Sequence, residues 1–375
     1  MNRTLVAAVL LMLCVPGQAH AQELVEESLR IPMREAGRNG LEAVMVRPND
    51  NFAHPLVLMT HGTPREADKR RGITALSFVP QAREFARRGW TTVIVVRRGY
   101  GTSGGNYAEE ARACSRRPDY YLAGKESAKD LRRSIEYLSG VAHVDASRVV
   151  SVGISAGGFA NVALTADPPP NLVAAISFAG GRGSRSPDEV CNPNDLVRAF
   201  GEFGRTSHVP MLWVYAENDH FFGPQLAAAF HAAFTRNGGR AEFIQPAAFG
   251  KDGHGLFSNG GIPLWTPLVD EFLAAQNLKL RDGLLALPTP PDVAPPVPLG
   301  ERGLSEWRNF LTFPAHRAFA ASGDGHFGYS FGRPSDKEAE TQALEHCNDT
   351  AVRGERCELV AIPATTAPYK TEVLD

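Results

Sequence analysis

At residues 149–152 a mostly β-branched run, Val149-Val150-Ser151-Val152, passes straight into Gly153-Ile154-Ser155-Ala156-Gly157 and then into a small-residue stretch over 158–164. The pattern predicts a strand that turns sharply into a helix with a serine at the corner. Glycines two before and two after Ser155 let the backbone bend there without a Cβ clash. A seryl hydroxyl is a weak nucleophile at neutral pH, so chemistry at such a corner needs an adjacent base and oxyanion donors. Alone, the pentapeptide fits an ordinary strand-exit turn equally well. The rest of the chain has to supply the partners.

Three segments do so. Thr60-His61-Gly62-Thr63-Pro64 follows an apolar strand at 56–59, where a second oxyanion donor would lie beside the backbone N–H of Ala156. Pro64 has no N–H, which leaves Thr63 as the candidate donor. Trp213-Val214-Tyr215-Ala216-Glu217-Asn218-Asp219 is a buried-looking strand that ends in carboxylates, with Asp219 preferred over Glu217 as the acid that orients a histidine. Gly250-Lys251-Asp252-Gly253-His254-Gly255 can project an imidazole from a glycine-rich loop; Asp252 is a competing acid, but its closeness to His254 along one loop makes the geometry harder. A lone histidine is usually unremarkable, and the chain has 11. The order Ser155, Asp219, His254 is what selects this one.

Residues 27–276 thereby resemble an α/β-hydrolase, and more narrowly the dienelactone-hydrolase and prolyl-oligopeptidase-like branches of that superfamily. The resemblance rests on His61-Gly62-Thr63-Pro64, Arg98-Gly99-Tyr100-Gly101-Thr102-Ser103-Gly104, Gly153-Ile154-Ser155-Ala156-Gly157-Gly158, Asp219 and Asp252-Gly253-His254. It implies a Ser155, His254, Asp219 triad with Thr63 and Ala156 as oxyanion donors. Dienelactone hydrolases use a cysteine nucleophile, so Ser155 argues against that particular activity. Residues 304–362 resemble a small domain of unknown function found in bacterial exported proteins, on His316-Arg317-Ala318-Phe319-Ala320, Gly328, Ala343-Leu344, Cys347 and Cys357.

The wider pattern agrees with an α/β fold: a mostly parallel central sheet with helices on both faces. Runs at 56–59, 91–96, 149–152, 173–178 and 211–215 lack polar alternation, as expected of strands covered on both sides. Earlier strands are expected at 29–33 and 41–46, and helices at 77–88, 124–138, 225–236 and 264–275. The proline-rich run 288–298 reads as a stiff, extended linker. Beyond it the order strand, turn, strand, helix, strand is expected. Gly323-Asp324-Gly325 would make the hairpin, and Ser335-Asp336-Lys337-Glu338 reads as a capping box. The expected units are a leader over 1–21, a catalytic domain over 22–280, a linker over 281–300 and a small disulfide-stapled α+β domain over 301–375.

Arg3, an apolar stretch at 5–15 and Ala19-His20-Ala21 have the form of an export leader, with Gln22 as the first mature residue. Cys14 would suit a lipoprotein, but Leu13 before it is too large for that signal. The expectation is a periplasmic or secreted protein with no membrane-spanning segment. Four cysteines then remain, and three connectivities are open. Cys347 with Cys357 and Cys114 with Cys191 are expected. A net charge of −2 leaves no positive field for nucleic acid, and no metal-binding pattern appears, so neither metal nor organic cofactor is expected.

Only about thirty residues separate the strand ending near Phe178 from that starting at Met211, which leaves room for a flap and not for a large cap. Candidate pocket residues are Tyr100, Tyr120, Tyr121, Phe221, Phe222 and Trp265. Arg182 and Arg185 could meet a carboxylate, although solvated loop arginines are the commoner reading, as for Lys69-Arg70-Arg71. The expected substrate is a small-molecule or polymer-linked carboxylic ester. An amide or peptide substrate is the first alternative. The second is a non-catalytic envelope-binding protein on a hydrolase scaffold, with an envelope or polymer ligand on the C-terminal domain.

Overall fold

In the computed structural model, residues 23–351, 356–362 and 372–373 are described, the last two by backbone alone; the leader expected over 1–21, with Cys14, lies outside them. The chain opens with β1 (Leu24–Ile31), β2 (Leu41–Pro48) and β3 (His54–Thr60), then α1 (Val79–Ala86) and β4 (Thr91–Val95). Next come α2 (Tyr120–Leu138), β5 (Val144–Ile154), α3 (Ala156–Thr165) and β6 (Leu172–Phe178). A small hairpin, β7 (Ser184–Ser186) and β8 (Glu189–Val190), leads into α4 (Pro193–Gly204). The body closes with β9 (Met211–Val214), α5 (Pro224–Arg236), β10 (Ala241–Ile244) and α6 (Ile262–Ala275). The tail holds α7 (Glu301–Phe310), β11 (Ala318–Ala321), β12 (Phe327–Ser330), α8 (Asp336–Asn348), β13 (Glu358–Leu359) and β14 (Glu372–Val373).

The main sheet runs β10-β9-β6-β5-β3-β4-β2-β1-β14, parallel from β10 to β4, with β2 antiparallel to both β4 and β1. From β3 the chain steps to β4 on one side and returns to β5 on the other, so the strand order reverses between β3 and β5. A crevice opens at the carboxyl ends of strands at such a point. The register pairs Thr60 with Gly153 there, which sets the His61 loop directly beside the Ser155 corner.

The unbroken apolar strands are explained by two-sided burial. Leu56, Leu58, Val149 and Trp213 face Leu131, Phe159, Phe200 and Phe230 on α2 to α5, while Val57, Met59, Val150 and Val152 face Val79, Phe85, Val269 and Phe272 on α1 and α6. Adjacent residues thus serve opposite layers. Trp265 belongs to this second layer. It is 1% exposed and packs on Phe257, Phe85 and Phe178, which removes it from the candidate pocket residues.

The structure departs from the sequence expectations elsewhere. The first strand starts earlier than expected and ends before a 3-10 turn at Arg34–Asn39. Strand β10, with the mixed sequence Ala-Glu-Phe-Ile at the sheet edge, and α7 were not expected. Helix α7 brings Trp307 and Phe310 onto Phe319, and the Trp307 indole N–H donates to Val293 O at 2.8 Å, so the proline-rich run is packed rather than free. In the tail, β11 sits between β12 and β13, and the Ser335 hydroxyl accepts from Glu338 N as a helix cap. Both disulfides, Cys114–Cys191 and Cys347–Cys357, are present. Among the described residues no helix is long and apolar enough to cross a membrane.

Candidate active site

Ser155 stands between β5 and α3 with φ 55° and ψ −123°, a strained conformation for a residue with a side chain. Its backbone is held on every side. The N–H donates to Phe178 O at 2.9 Å, and the carbonyl accepts from Phe159 N at 3.0 Å and Gly181 N at 3.1 Å. The surrounding glycines are required by contact distances. A Cβ on Gly153 would lie 2.5 Å from the Gly157 carbonyl, and one on Gly157 would lie 2.5 Å from His61 O. A Cβ on Gly62 would sit 3.0 Å from the Ser155 Cβ. The corner and the β3 loop therefore pack backbone to backbone.

Asp219 lies five residues past the end of β9 and is 2% exposed. Its Oδ1 accepts from Phe221 N at 2.7 Å and Phe222 N at 2.9 Å, and His254 Nδ1 is 3.1 Å from Oδ2. Burial alone would raise its pKa, but His254 and the two backbone N–H groups outweigh it, and the carboxyl is held below its ordinary value. Asp252, the rival acid, uses Oδ1 to cap the backbone N–H groups of His254 and His220. Glu217 is exposed. The His254 ring stacks on Phe221, with centroids 3.8 Å apart, and meets Phe222 edge-on. Ser155 Oγ makes no hydrogen bond among the described residues.

The His61 loop shows how a peptide plane can be aimed. His61 Nε2 accepts from Arg97 N at 3.0 Å, so the proton must sit on Nδ1, which donates to Gly62 O at 2.6 Å. Burial and the neighbouring Arg97 keep the ring neutral by pushing its pKa well below the ordinary value. With Gly62 O gripped and the peptide trans, the Thr63 N–H on the same plane points the opposite way. Neither Thr63 N nor Ala156 N has a partner among the described residues. The Thr63 hydroxyl is tied as well. Tyr100 donates its one proton to Glu109 Oε2 at 3.0 Å, and Thr63 Oγ1 donates to Tyr100 at 2.5 Å.

In front of Ser155 lies a cavity of about 530 Å³, within the usual range for ligand sites. Thr63, Ala156, Arg182, Phe221 and Phe222 share its wall with Ser155. Tyr100 does not. It is fully buried below the wall, and burial beside Glu109 raises its phenol pKa. Tyr120 is also buried, bonded to Cys191 O, and Tyr121 stacks on Phe203 away from the cavity. Cys114 lines the rim, and its disulfide fastens the 105–119 loop to the flap after β6.

Sequence reasoning missed the charged part of this site. Glu109 is buried against Arg97 and Arg182, and their charges outweigh burial and bring its carboxyl down to about 2. Arg182 is therefore neither a solvated arginine nor a free one. Arg65 and Arg70 also line the cavity. Nothing in the polar run around Glu109 distinguishes it from a surface loop, except Cys114 five residues on.

Residues 39–200 match the Peptidase S15 family, described as X-Pro dipeptidyl-peptidase. No curated protein matches the chain in sequence. An acylaminoacyl peptidase of Pyrococcus horikoshii superposes with TM-score 0.50 and 18% identity, over 70% of this chain and 43% of that one. Thermogutta terrifontis esterase 2, phosphorylated by paraoxon, gives 0.48 and 18%, over 68% and 96%. A Pyrococcus furiosus esterase gives 0.46 and 13%, over 68% and 93%. The chain has the α/β-hydrolase fold.

Proposed function

We propose that this protein is an exported serine hydrolase that cleaves carboxylic esters through an acyl-enzyme. The observation that carries the reading is Ser155 in its strained corner, facing the cavity beside the N–H groups of Thr63 and Ala156, which have no partner among the described residues. Ser155 Oγ attacks the ester carbonyl while His254 takes its proton. The Thr63 and Ala156 N–H groups receive the developing oxyanion. Asp219 holds the Nδ1 face of His254 and stabilises the imidazolium. The proton then passes to the leaving alcohol, and water attacks the acyl-enzyme with His254 as base, restoring Ser155. No step calls for a metal or an organic cofactor.

The similarity of residues 39–200 to the Peptidase S15 family favours a second reading, in which the scissile bond is an amide. Both readings expect a fluorophosphonate probe to label Ser155. They part on turnover: short acyl esters should be hydrolysed with kcat/KM well above that for aminoacyl amides, and preference for the amides would overturn the ester assignment. Export is supported by the two disulfides, which persist in oxidising compartments. Sequencing the protein recovered from the periplasm or medium should give Gln22 at the N-terminus. A mature chain that retains Met1 would refute the leader.

A further inference from the structure

The wall of the Ser155 cavity is unevenly charged. Five arginines, Arg65, Arg70, Arg112, Arg182 and Arg185, face two glutamates, Glu109 and Glu110. The acids are already committed. Glu109 serves Arg182 and, behind the wall, the fully buried Arg97, which leaves this buried cluster with one positive charge in excess. Exposed Glu110 turns back to the backbone N–H of Arg112. Arg185 has its own partner, Glu189, at 3.0 Å. Arg65, Arg70 and Arg112 have no carboxylate partner among the described residues.

Two of these guanidiniums are fixed in orientation. Arg65 lies 3.6 Å over the Phe221 ring and is steadied by Ser184 Oγ at 3.1 Å. Arg70 lies 3.5 Å over Tyr107, and its buried Nε has no hydrogen-bond partner. Arg65 already donates from Nε and Nη2 to Ser184 Oγ and from Nη2 to His220 O, which leaves its Nη1, whereas no side-chain donor of Arg70 is bonded among the described residues. A guanidinium whose plane is set by stacking is matched to the oxygens of a carboxylate. A site that binds only neutral esters has no use for this excess. Uncompensated positive charge around a concave wall raises the local concentration of anions.

We propose that the ester opened at Ser155 carries a second, ionised carboxylate, received by Arg65 and Arg70 with the Arg182 and Arg97 charges behind them. This rests on the serine-hydrolase reading and adds the substrate class to it. The test pairs the mono-4-nitrophenyl ester of glutaric acid with 4-nitrophenyl pentanoate. The charged ester should be preferred in kcat/KM by roughly tenfold or more at low salt, and the preference should shrink as salt rises. Arg65→Gln and Arg70→Gln should each lower the charged-to-neutral ratio through KM, with Arg65→Lys intermediate. In parallel, glutarate and inorganic phosphate are titrated calorimetrically into Ser155→Ala protein. Glutarate should bind, and adding Arg65→Gln should weaken it. An unchanged ratio in the arginine variants with Ser155 still labelled overturns the carboxylate site and leaves the hydrolase. Unlabelled Ser155 with glutarate bound overturns the hydrolase and keeps the site. Phosphate binding as tightly as glutarate overturns the carboxylate assignment, and so does the absence of glutarate binding.

Discussion

Ser155→Ala should lower ester hydrolysis by about 10⁴-fold or more while leaving the fold intact. The expectation of intact folding follows from the backbone. The corner is held by the hydrogen bonds of the Ser155 N–H and carbonyl, which alanine keeps, and the hydroxyl makes no hydrogen bond among the described residues. Alanine also inherits the same φ of 55° at similar strain. Circular dichroism and the urea midpoint should therefore match the parent protein. Fluorophosphonate labelling should vanish, and residual rates should be those of the oxyanion donors and binding alone. A variant that stays well folded and still turns over esters within tenfold of the parent would refute the nucleophile.

The second large effect falls on stability. Glu109→Gln keeps the shape of the side chain but strips the counter-charge from Arg97 and Arg182, both buried. Breaking a buried ion pair from one side costs about 3–5 kcal/mol, because the remaining charge is stranded. The acid limb gives a second measure. The carboxyl sits at about 2 in the folded chain, against roughly 4.3 when unfolded. A depressed carboxylate stabilises the fold fully above the unfolded value and loses that contribution as pH falls toward the folded one. Its share, roughly 3 kcal/mol from that difference, should disappear between about pH 4.5 and 2. Urea denaturation of both proteins across that range should show a gap that closes with acid. A gap that does not change with pH would show that Glu109 acts by packing alone. Activity should fall too, since Glu109 holds Tyr100 and Tyr100 holds the Thr63 hydroxyl.

What could be read from the sequence was what local chemistry enforces. The corner at Ser155 needs glycines at fixed offsets, the strand runs needed cover on both faces, and Cys347 lies ten residues from Cys357. Asp219 and His254 were singled out by their order after Ser155 and the glycines around the histidine, and the fold brings those two side chains within 3.1 Å of each other. Side-chain direction was not legible. Trp265 and Tyr100 are aromatics near the right loops, yet one fills a layer under α6 and the other anchors a wall from behind. Arg70 sits in a basic run that reads as solvated, and only the fold lays it over Tyr107. Helix α7 was hidden by the prolines before it, whose packing partner Trp307 lies on the helix itself.

The run between body and tail carries a consequence for reach. It is fastened at one end by Arg87, whose Nε donates to Leu285 O and whose carbonyl accepts from Leu285 N, and at the other by Trp307 on Val293 O. Arg83 spans Glu26 in the body and Thr312 O in the tail, and Thr74 and Ser77 both donate to Gly332 O. A tether sweeps its cargo through a volume set by its length, whereas a segment fastened in this way has no such volume. The tail is consequently held at one bearing from the mouth of the Ser155 cavity, by a bracket rather than a leash.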